Sequence, residues 1–249
     1  MKEQAKDPFE LALRKYIKQS SATPIVMHAR VQDMELHNIV IDMLFEPLDA
    51  FSEIDKIAYQ HCRGRVLDFG AGVGRFALPL QSQGLPVVAV EKSAEATKIM
   101  KIRGIRDVRC TTLDTFLEQA GNDEQFDTVL MMMNGMGIVG TLQKLEEFLQ
   151  KIKRFLHPNG QILADSINIK ASTHNDFSKH IAVQQKRGDY IGEIQMTFTF
   201  EGVEGMPFPW VHVDEKTLVM LAHKHGWEPE VLFRSGDGRY LFRLMLPSS

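Results

Sequence analysis

The sequence predicts an α/β fold in which a mostly parallel sheet carries helices on both faces. Between residues 65 and 166, short apolar segments typical of strands alternate with segments whose apolar residues recur at helical spacing. A glycine-rich turn joins the first of these strands to the first helix, and residues 230–246 read as a closing antiparallel hairpin. Repeated strand and helix units favour a parallel sheet with right-handed crossovers, and such sheets bind ligands at the carboxyl ends of their strands.

The residues before this alternation are expected to form an N-terminal helical cap at 1–60, followed by the main domain at 61–249. An Asp-Pro pair opens a helix at residues 9–18. Residues 34–45 are predicted as a helix, although an Ile-Val-Ile run inside them favours a strand. Residues 51–62 are predicted as a helix that leads into the first strand of the sheet.

The strands and helices of the main domain are assigned from the apolar runs and the residues that interrupt them. Strands are predicted at 65–69, 86–90, 107–110, 126–132 and 160–166, and helices at 75–83, 93–103, 114–120 and 141–155. Residues 190–200 alternate between apolar and polar, which predicts a half-buried antiparallel strand that pairs with a returning strand at 208–213. Asp214 is expected to cap a helix at 215–225.

The most informative segment is residues 66–74, in which an apolar strand runs into Asp68 and then into three alternate glycines. Glycines in such a turn adopt positive φ and let a ligand approach the backbone, and the following helix offers unpaired amide donors. The next strand ends at Glu91, where a carboxylate can accept both hydroxyls of a ribose. These features together predict a site for a cofactor that contains a nucleoside.

The glycine spacing separates two classes of nucleoside cofactor. The dinucleotide fingerprint needs Gly-x-Gly-x-x-Gly, but after Gly70 and Gly72 the position of its third glycine is occupied by Arg75. A nicotinamide-dependent oxidoreductase is therefore the weaker interpretation. It stays open as an alternative, together with a non-catalytic module that only binds its ligand.

Residues 66–74 and Glu91 resemble the first motif and the ribose-binding acid of the class I S-adenosylmethionine-dependent methyltransferases. Residues 126–135 resemble the fourth strand of that family, and residues 156–163 resemble the turn into its fifth strand. The resemblance covers about residues 60–168 and implies a Rossmann-like seven-stranded sheet that ends in an antiparallel pair.

The resemblance also implies the cofactor and the reaction. S-adenosylmethionine is the expected cofactor, and its methyl group is expected to pass by in-line displacement, which needs no obligatory catalytic residue. Residues 134–141 look most like uncharacterised bacterial members thought to act on small molecules, so an unidentified small-molecule acceptor is expected.

Residues at the carboxyl ends of the predicted strands receive cofactor roles from the resemblance. Asp68 is expected to face the ammonium group of the cofactor, because a buried cation needs negative charge nearby. Glu91 would take the ribose hydroxyls, and Asn134 would contact the methionine part and the acceptor. The expected cofactor-binding residues are Asp68, Gly70, Ala71, Gly72, Gly74, Glu91, Lys92, Thr112, Leu113, Met133 and Asn134.

The adenine pocket departs from the family pattern. Where the family often has an aspartate, this chain has Thr112, and Leu113 is expected to lie against the base. Asp114 has two interpretations: a shifted loop brings it to the adenine, or it caps the following helix.

No residue is assigned as catalytic. Asp165, His174 and His212 are conceivable general bases near the acceptor, but a structural role is the better interpretation of each. Phe208 and Trp210 share one face of a predicted strand, where they either wall an aromatic acceptor pocket or make ordinary packing contacts.

Composition limits the partners. The 29 Lys and Arg residues are scattered among 32 Asp and Glu, and the net charge of −3 does not favour nucleic acid. The chain has no apolar run long enough for a bilayer, and Cys62 and Cys110 lack the spacing of a disulfide framework or a zinc site, so a cytoplasmic protein without a membrane partner is expected. His223 and His225 form the one close histidine pair, and their spacing puts them on different helix faces, so no metal is expected.

Overall fold

The computed structural model describes residues 7–19, 23–31, 34–36, 38–121, 124–173 and 177–247. Its α-helices are α1 (Pro8–Lys18), α2 (Glu53–His61), α3 (Ala77–Ser82), α4 (Ala94–Ile102), α5 (Leu113–Gln119), α6 (Leu142–Lys151), α7 (Ser178–Arg187) and α8 (Glu215–Lys224). Its strands are β1 (Val26–Val31), β2 (Met34–Glu35), β3 (Ile39–Val40), β4 (Val66–Phe69), β5 (Val87–Glu91), β6 (Asp107–Cys110), β7 (Phe126–Met131), β8 (Leu156–Ile167), β9 (Glu193–Phe200), β10 (Val203–Glu204), β11 (Phe208–Val211), β12 (Glu228–Arg234) and β13 (Arg239–Met245).

A seven-stranded sheet forms the centre of the molecule, in the order β12-β13-β8-β7-β4-β5-β6. Strands β4 to β8 run parallel to one another, whereas β13 pairs antiparallel with both β8 and β12. The predicted mostly parallel sheet with an antiparallel C-terminal hairpin is confirmed. β4 lies between β5 and β7, so the strand order reverses beside β4, which is where sheets of this kind bind their ligands.

Alternate residues of the central strands face two separate cores. Leu67 and Val129 face a core that includes side chains of α5, α6 and α8. Val66 and Leu130 face a second core that includes side chains of α2 and α3. The helices therefore cover both faces of the sheet, as predicted.

Side-chain caps set where several of the helices begin. Asp7, Ser93, Thr112, Thr141 and Asp214 cap α1, α4, α5, α6 and α8, each accepting a hydrogen bond from a backbone amide in the first turn. The capping role expected for Asp214 is confirmed. In the described ranges, no helix has both the length and the apolar character needed to cross a bilayer.

A second sheet of six strands joins the N-terminal segment to the region between β8 and α8. Its order is β10-β9-β1-β2, with β11 paired to β9 and β3 paired to β1, and all of these pairs are antiparallel. The N-terminal cap is therefore only partly helical: α1 is the expected helix, but β1, β2 and β3 are strands. The physical reason is that β1 satisfies its backbone groups by pairing with β9, where His28 lies opposite Thr199.

The predicted helix at residues 34–45 is wrong. The segment forms β2 and β3, and a short 3-10 helix follows at Ile41–Phe45. Val40 pairs with Val26 across β3 and β1, and the β-branched residues of this run suit a pleated surface better than a helix. Pairing with β1 therefore overrides the helical spacing of the apolar residues. Helix α7, in contrast, lies in a polar segment to which no helix was assigned.

Arg75 ties the N-terminal segment to the glycine turn. Its guanidinium donates to the Met43 carbonyl at 3.0 Å and to Asp55 Oδ2 at 3.1 Å. It also pairs with Glu46 at 3.2 Å and lies 3.9 Å from the centroid of the Phe51 ring. Because Arg75 and Asp55 are each only 5% exposed, loss of one would leave the other charge buried without its partner.

Substituting Arg75→Leu should lower the free energy of unfolding by about 3–5 kcal/mol, because it leaves the Asp55 carboxylate buried and uncompensated. Urea unfolding followed by circular dichroism measures this change. Arg234→Leu is the control, since Arg234 pairs with Glu215 at the surface and its loss should shift the urea midpoint little. Equal midpoints for Arg75→Leu and the unmodified protein would contradict the prediction.

Candidate active site

The candidate site lies at the carboxyl edge of the parallel sheet, where β4, β5, β7 and β8 end. Three of these strands place a carboxylate there: Asp68, Glu91 and Asp165, which are 4%, 8% and 0% exposed. The turn after β7 adds Asn134. By the alternation of each strand, the three carboxylates point to the face that α2 and α3 cover. The structure thus brings together polar groups from four segments of the sequence.

The glycine turn has the positive φ angles that its motif predicts, with 71° at Gly70, 55° at Gly72 and 84° at Gly74. A Cβ on Gly70 would lie 2.3 Å from Ile138 Cδ1, and a Cβ on Gly74 would lie 2.1 Å from Ile105 Cδ1. Both positions are therefore closely packed. A Cβ on Gly72 would meet no atom within 4 Å, so Gly72 is the glycine whose backbone borders open space.

Glu91 holds the glycine turn from the neighbouring strand. Its Oε2 accepts the Gly72 amide at 3.1 Å, and its Oε1 accepts the Ser93 amide at 2.9 Å. The amides of Gly70 and Ala71 donate to the carbonyl at the end of β5 at 2.9 and 3.1 Å. The Glu91 carboxylate is thereby fixed beside the open face of Gly72.

Asp68 is a buried acid next to a second acid. Burial and the Glu91 charge raise the pKa of Asp68 to about 7, although a hydrogen bond from the Ala77 backbone favours its charged form. Its Oδ2 is buried and receives no hydrogen bond from the described residues. A ligand cation with N–H groups would supply both the charge and the donor that this oxygen lacks.

The turn after β7 presents a second buried acceptor. Met133 and Asn134 adopt φ of 64° and 59°, which is unusual for residues other than glycine. The Asn134 amide donates to Asp165 Oδ1 at 2.8 Å, which orients the turn. Within the described part of the chain, Asn134 Oδ1 is buried without a hydrogen-bond partner. Asn134 and Asp68 therefore offer acceptors at the same edge of the sheet.

The predicted adenine side is formed by the start of α5. Thr112 Oγ1 accepts the Thr115 amide at 3.1 Å, so Thr112 is the helix cap and the interpretation of Asp114 as the cap is wrong. Asp114 lies in the first turn of α5 and pairs with Lys144 at 2.9 Å. Leu113 is 9% exposed. Contacts of these side chains with adenine stay predictions.

The second sheet borders the site through β11. The Lys92 ammonium, next to Glu91, lies 5.1 Å from the centroid of the Phe208 ring. The rings of Phe208 and Trp210 make an edge contact with centroids 6.2 Å apart. A Cβ on Gly137 would lie 2.0 Å from Trp210 Nε1, so the indole rests directly on the turn after β7. β11 therefore contacts both the end of β5 and that turn.

The conceivable general bases have structural contacts. Asp165 pairs with Arg239 at 2.6 Å in addition to its bond from Asn134. His212 is 8% exposed, and its ring makes an edge contact with Phe177. His174 lies outside the described residues. These contacts favour the structural interpretation of Asp165 and His212.

In the ranges that the structure describes, no three or more His, Cys, Asp or Glu side chains form a group that could hold a metal ion. His225 lies 2.7 Å from Glu146, whose carboxylate also pairs with Lys224. Both cysteines are free thiols.

The family model described as a methyltransferase domain matches residues 44–228, well over half of the chain. The chain belongs to this family, and the prediction of a class I S-adenosylmethionine-dependent methyltransferase is confirmed, together with its cofactor. An S-adenosylmethionine-dependent methyltransferase of Bacteroides fragilis, crystallised with S-adenosylhomocysteine, is 28% identical and superposes with a TM-score of 0.80 over 98% of this chain and 96% of that chain. The CcbJ methyltransferase of Streptomyces caelestis shares the fold at 14% identity, with a TM-score of 0.58 over 81% of this chain and 99% of that chain.

Curated relatives match over shorter stretches. The ubiquinone biosynthesis O-methyltransferase of Rickettsia typhi is 24% identical over 135 residues, which are 53% of this chain and 50% of that protein. A putative methyltransferase of Bacillus subtilis is 27% identical over 108 residues, 41% of this chain and 42% of that protein. The chain thus spans about half the length of the curated relatives it matches, or less.

The polar groups of the site fit S-adenosylmethionine. The ammonium of its methionine part carries a positive charge and N–H donors, and Asp68 Oδ2 and Asn134 Oδ1 are buried acceptors to which the described residues bring no donor. The Glu91 carboxylate lies beside the open face of Gly72, where ribose hydroxyls can reach it. The cofactor roles of the individual residues remain predictions.

Two ion pairs to buried acids were not anticipated from the sequence. They are Arg75 with Asp55, and Arg239 with Asp165. The available signal was local: each arginine directly follows a glycine, and Asp165 interrupts an apolar strand. The acid that each arginine meets depends on the fold: Asp55 lies on helix α2, and Asp165 lies on β8, which pairs with the strand of Arg239.

Gly72→Ala and Gly74→Ala should separate packing from ligand access. Gly72→Ala carries the backbone cost of positive φ, about 1–2 kcal/mol, whereas Gly74→Ala adds an overpacking cost of about 1–3 kcal/mol against Ile105. Gly72→Ala should also weaken S-adenosylhomocysteine binding about tenfold, since its methyl group enters the open space. Urea unfolding and isothermal titration measure the two effects.

The control is Gly84→Ala, where φ is 96° and a Cβ would also meet no atom within 4 Å. Gly84 lies at the end of α3 outside the glycine turn, so this variant should lose stability without losing affinity for the cofactor product. Unchanged affinity in Gly72→Ala would show that the open space does not receive the cofactor.

Proposed function

We propose that this chain transfers the methyl group of S-adenosylmethionine to a small-molecule acceptor. S-adenosylmethionine supplies an already activated methyl group on a positively charged sulfur. The sulfur departs as a neutral thioether when the acceptor takes the methyl, and a hydroxyl acceptor releases its proton to solvent. The protein therefore has to bind the donor in one orientation and hold the acceptor in line. The observation that carries the proposal is the pair of buried acids, Asp68 and Glu91, beside the open backbone of Gly72.

In this proposal the donor is held at three points of the sheet edge. Asp68 and Asn134 bind the ammonium group with their free acceptor oxygens, and Glu91 binds the ribose hydroxyls. Gly72 allows close approach of the backbone, while Gly70, Ala71, Gly74 and Met133 shape the surrounding turns. Lys92, Thr112 and Leu113 border the nucleoside end. The opposite charges of the ammonium and of Asp68 give the site its preference for an amino-acid-bearing cofactor.

The acceptor is proposed to bind between the glycine turn and the second sheet. Ile138 closes over Gly70, and Trp210 rests on the neighbouring Gly137, so the turn after β7 connects the cofactor loop to β11. The N-terminal cap at 1–60 takes part through β1, which shares the second sheet with β9 and β11. We propose that this cap and a main domain at 61–249 are the two parts of the chain.

A planar acceptor with a hydroxyl group is the first class to test. Phe208 and Trp210 offer ring faces and edges next to the site, and aromatic ligands pack well against such surfaces. Several relatives that match about half of the chain are ubiquinone biosynthesis O-methyltransferases, which supports oxygen as the methylated atom. The scattered charges and the net charge of −3 support a small molecule over nucleic acid, and a cytoplasmic location remains a prediction.

The protein should convert S-adenosylmethionine to S-adenosylhomocysteine in the presence of phenols and catechols, measured by mass spectrometry of both the cofactor product and the methylated acceptor. Asp68→Asn should abolish most of this turnover, because it removes the charge that faces the ammonium. Glu118→Gln, an exposed substitution on α5, is the matched control and should retain activity.

Two alternatives give different outcomes in the same experiment. A non-catalytic module would bind S-adenosylhomocysteine yet form no methylated product with acceptors of any class. A nicotinamide oxidoreductase would change the fluorescence of NADH and give no heat with S-adenosylhomocysteine at millimolar concentration. The family match and the position of Arg75 both weigh against this second alternative.

Binding of S-adenosylhomocysteine should release protons in a pH-dependent way. Since the pKa of Asp68 is raised to about 7, this carboxyl is largely protonated at pH 6 in the free protein, and the incoming ammonium favours its charged form. Close to one proton should therefore leave at about pH 6 and close to none at about pH 8. Calorimetry in buffers of different ionisation enthalpy measures the release.

The Asp68→Asn variant should show no such difference between the two pH values. The raised pKa of Asp68 also makes the stability of the free protein depend on pH. The contribution of Asp68 to the free energy of unfolding is fully present below pH 3.8 and is lost as the pH rises through about 7. Proton release that persists in Asp68→Asn would assign it to another group.

A further inference from the structure

The turn that follows β7 needs an external support. Met133 and Asn134 are consecutive residues other than glycine, and both have left-handed φ, 64° and 59°. For such residues this conformation is unfavourable because Cβ approaches backbone oxygen atoms. The turn nevertheless carries Asn134, whose side-chain oxygen is a buried acceptor at the site.

Asp165 supplies that support from the next strand. It is fully buried on β8, and its Oδ1 accepts the Asn134 amide at 2.8 Å. A hydrogen bond to a charged carboxylate is stronger than one between neutral groups, and it fixes the direction of the Asn134 amide. The orientation of the turn therefore depends on the charge of Asp165.

Arg239 favours the charged form of Asp165. Burial and the nearby Asp55 charge raise the pKa of Asp165 above its ordinary value, and the Arg239 guanidinium, which pairs with Oδ2 at 2.6 Å, opposes this rise. Arg239 begins β13, which pairs with β8 so that Leu241 lies opposite Asp165. Arg239 and Leu241 are two residues apart on one strand, so their side chains share a face of the sheet. This geometry brings the Arg239 guanidinium to the Asp165 carboxylate.

The turn after β7 connects Asn134 to the second sheet on one side and to the glycine turn on the other. Within this turn, the Gly137 amide donates a hydrogen bond to the Asn134 carbonyl at 2.9 Å. Gly137 contacts Trp210 of the second sheet, and Ile138 contacts Gly70 of the glycine turn. A rotation at Asn134 would therefore displace its free side-chain oxygen and the contacts on either side of it.

We propose that Arg239 and Asp165 are positioning residues, which fix the turn at Asn134 so that its side-chain oxygen meets the ammonium end of the cofactor. Neither residue of the pair touches the reacting atoms. This role rests on the proposed function, because it assigns a purpose to the turn only if the site binds S-adenosylmethionine.

The test uses the full chain and S-adenosylhomocysteine as the probe. Arg239→Gln should weaken binding about tenfold in isothermal titration, because without the guanidinium Asp165 is more readily protonated and its bond from the Asn134 amide loses charge assistance. In the same variant the backbone amide signal of Asn134, observed by NMR with asparagine-selective 15N labelling, should move upfield and exchange faster with solvent. Arg239→Lys, which restores a cation, should recover most of the affinity.

Arg243→Gln is the matched control. Arg243 lies on the same strand and face and has a similarly exposed side chain, 23% against 25% for Arg239, but it pairs with the half-exposed Glu230. This variant should keep both the affinity and the Asn134 signal. Asp165→Asn is the second test variant in case Arg239→Gln does not fold, and it should weaken binding in the same direction.

Two results would overturn the proposal. If Arg239→Gln moves the Asn134 signal but leaves the affinity unchanged, the pair is structural and does not position the cofactor. If the Asn134 signal does not move, the pair does not hold the turn. Failure of the unmodified protein to bind S-adenosylhomocysteine would instead reject the proposed function, and the positioning role with it.

Discussion

The structure is organised around two buried acids, Asp68 and Glu91, on adjacent parallel strands. Parallel pairing places the carboxyl ends of β4 and β5 at one edge, so the two side chains are neighbours by the construction of the sheet. Glu91 uses both of its oxygens on the amides of Gly72 and Ser93. Asp68 keeps one oxygen without a donor from the described residues, and its pKa is raised to about 7. A bound cation would offset both the desolvation of the Asp68 carboxylate and its repulsion by Glu91.

The same arrangement extends along the face of the sheet that α2 and α3 cover. Towards the amino ends of the strands this face is apolar, with Val66 and Leu163 in its core, and two residues further along β4 and β8 it carries Asp68 and Asp165. Two arginines pair with acids at the rim: Arg75 with Asp55, next to the glycine turn, and Arg239 with Asp165. The site is thus the polar border of a hydrophobic core, which explains why its carboxylates are so deeply buried.

Local patterns allowed the centre of this arrangement to be predicted from the sequence. The strands of the parallel sheet are short apolar runs, the turn is marked by its glycines, and Glu91 ends the next run, so all three depend on neighbours in sequence. In the second sheet the pairing of β9 with β11 was predicted from the alternating residues, and the structure confirms it. The pairing of β9 with β1 could not be predicted in this way, because the two strands are far apart in the sequence. Residues 34–45 were wrongly predicted as a helix for that reason: their apolar spacing suited a helix, but pairing with β1 decided the outcome. The support of Asn134 by Asp165 and Arg239 likewise depends on three strands that only the fold brings together.

We propose that the cofactor stabilises the charged form of the buried acid Asp68. The most direct measurement is the titration of its carboxyl carbon by NMR in protein with 13C-labelled aspartate, assigned through Asp68→Asn, with and without saturating S-adenosylhomocysteine. The expected pKa of Asp68 is about 7 in the free protein and well below that in the complex. A carboxyl that titrates at the ordinary value of an aspartate, about 4, in both states would contradict it.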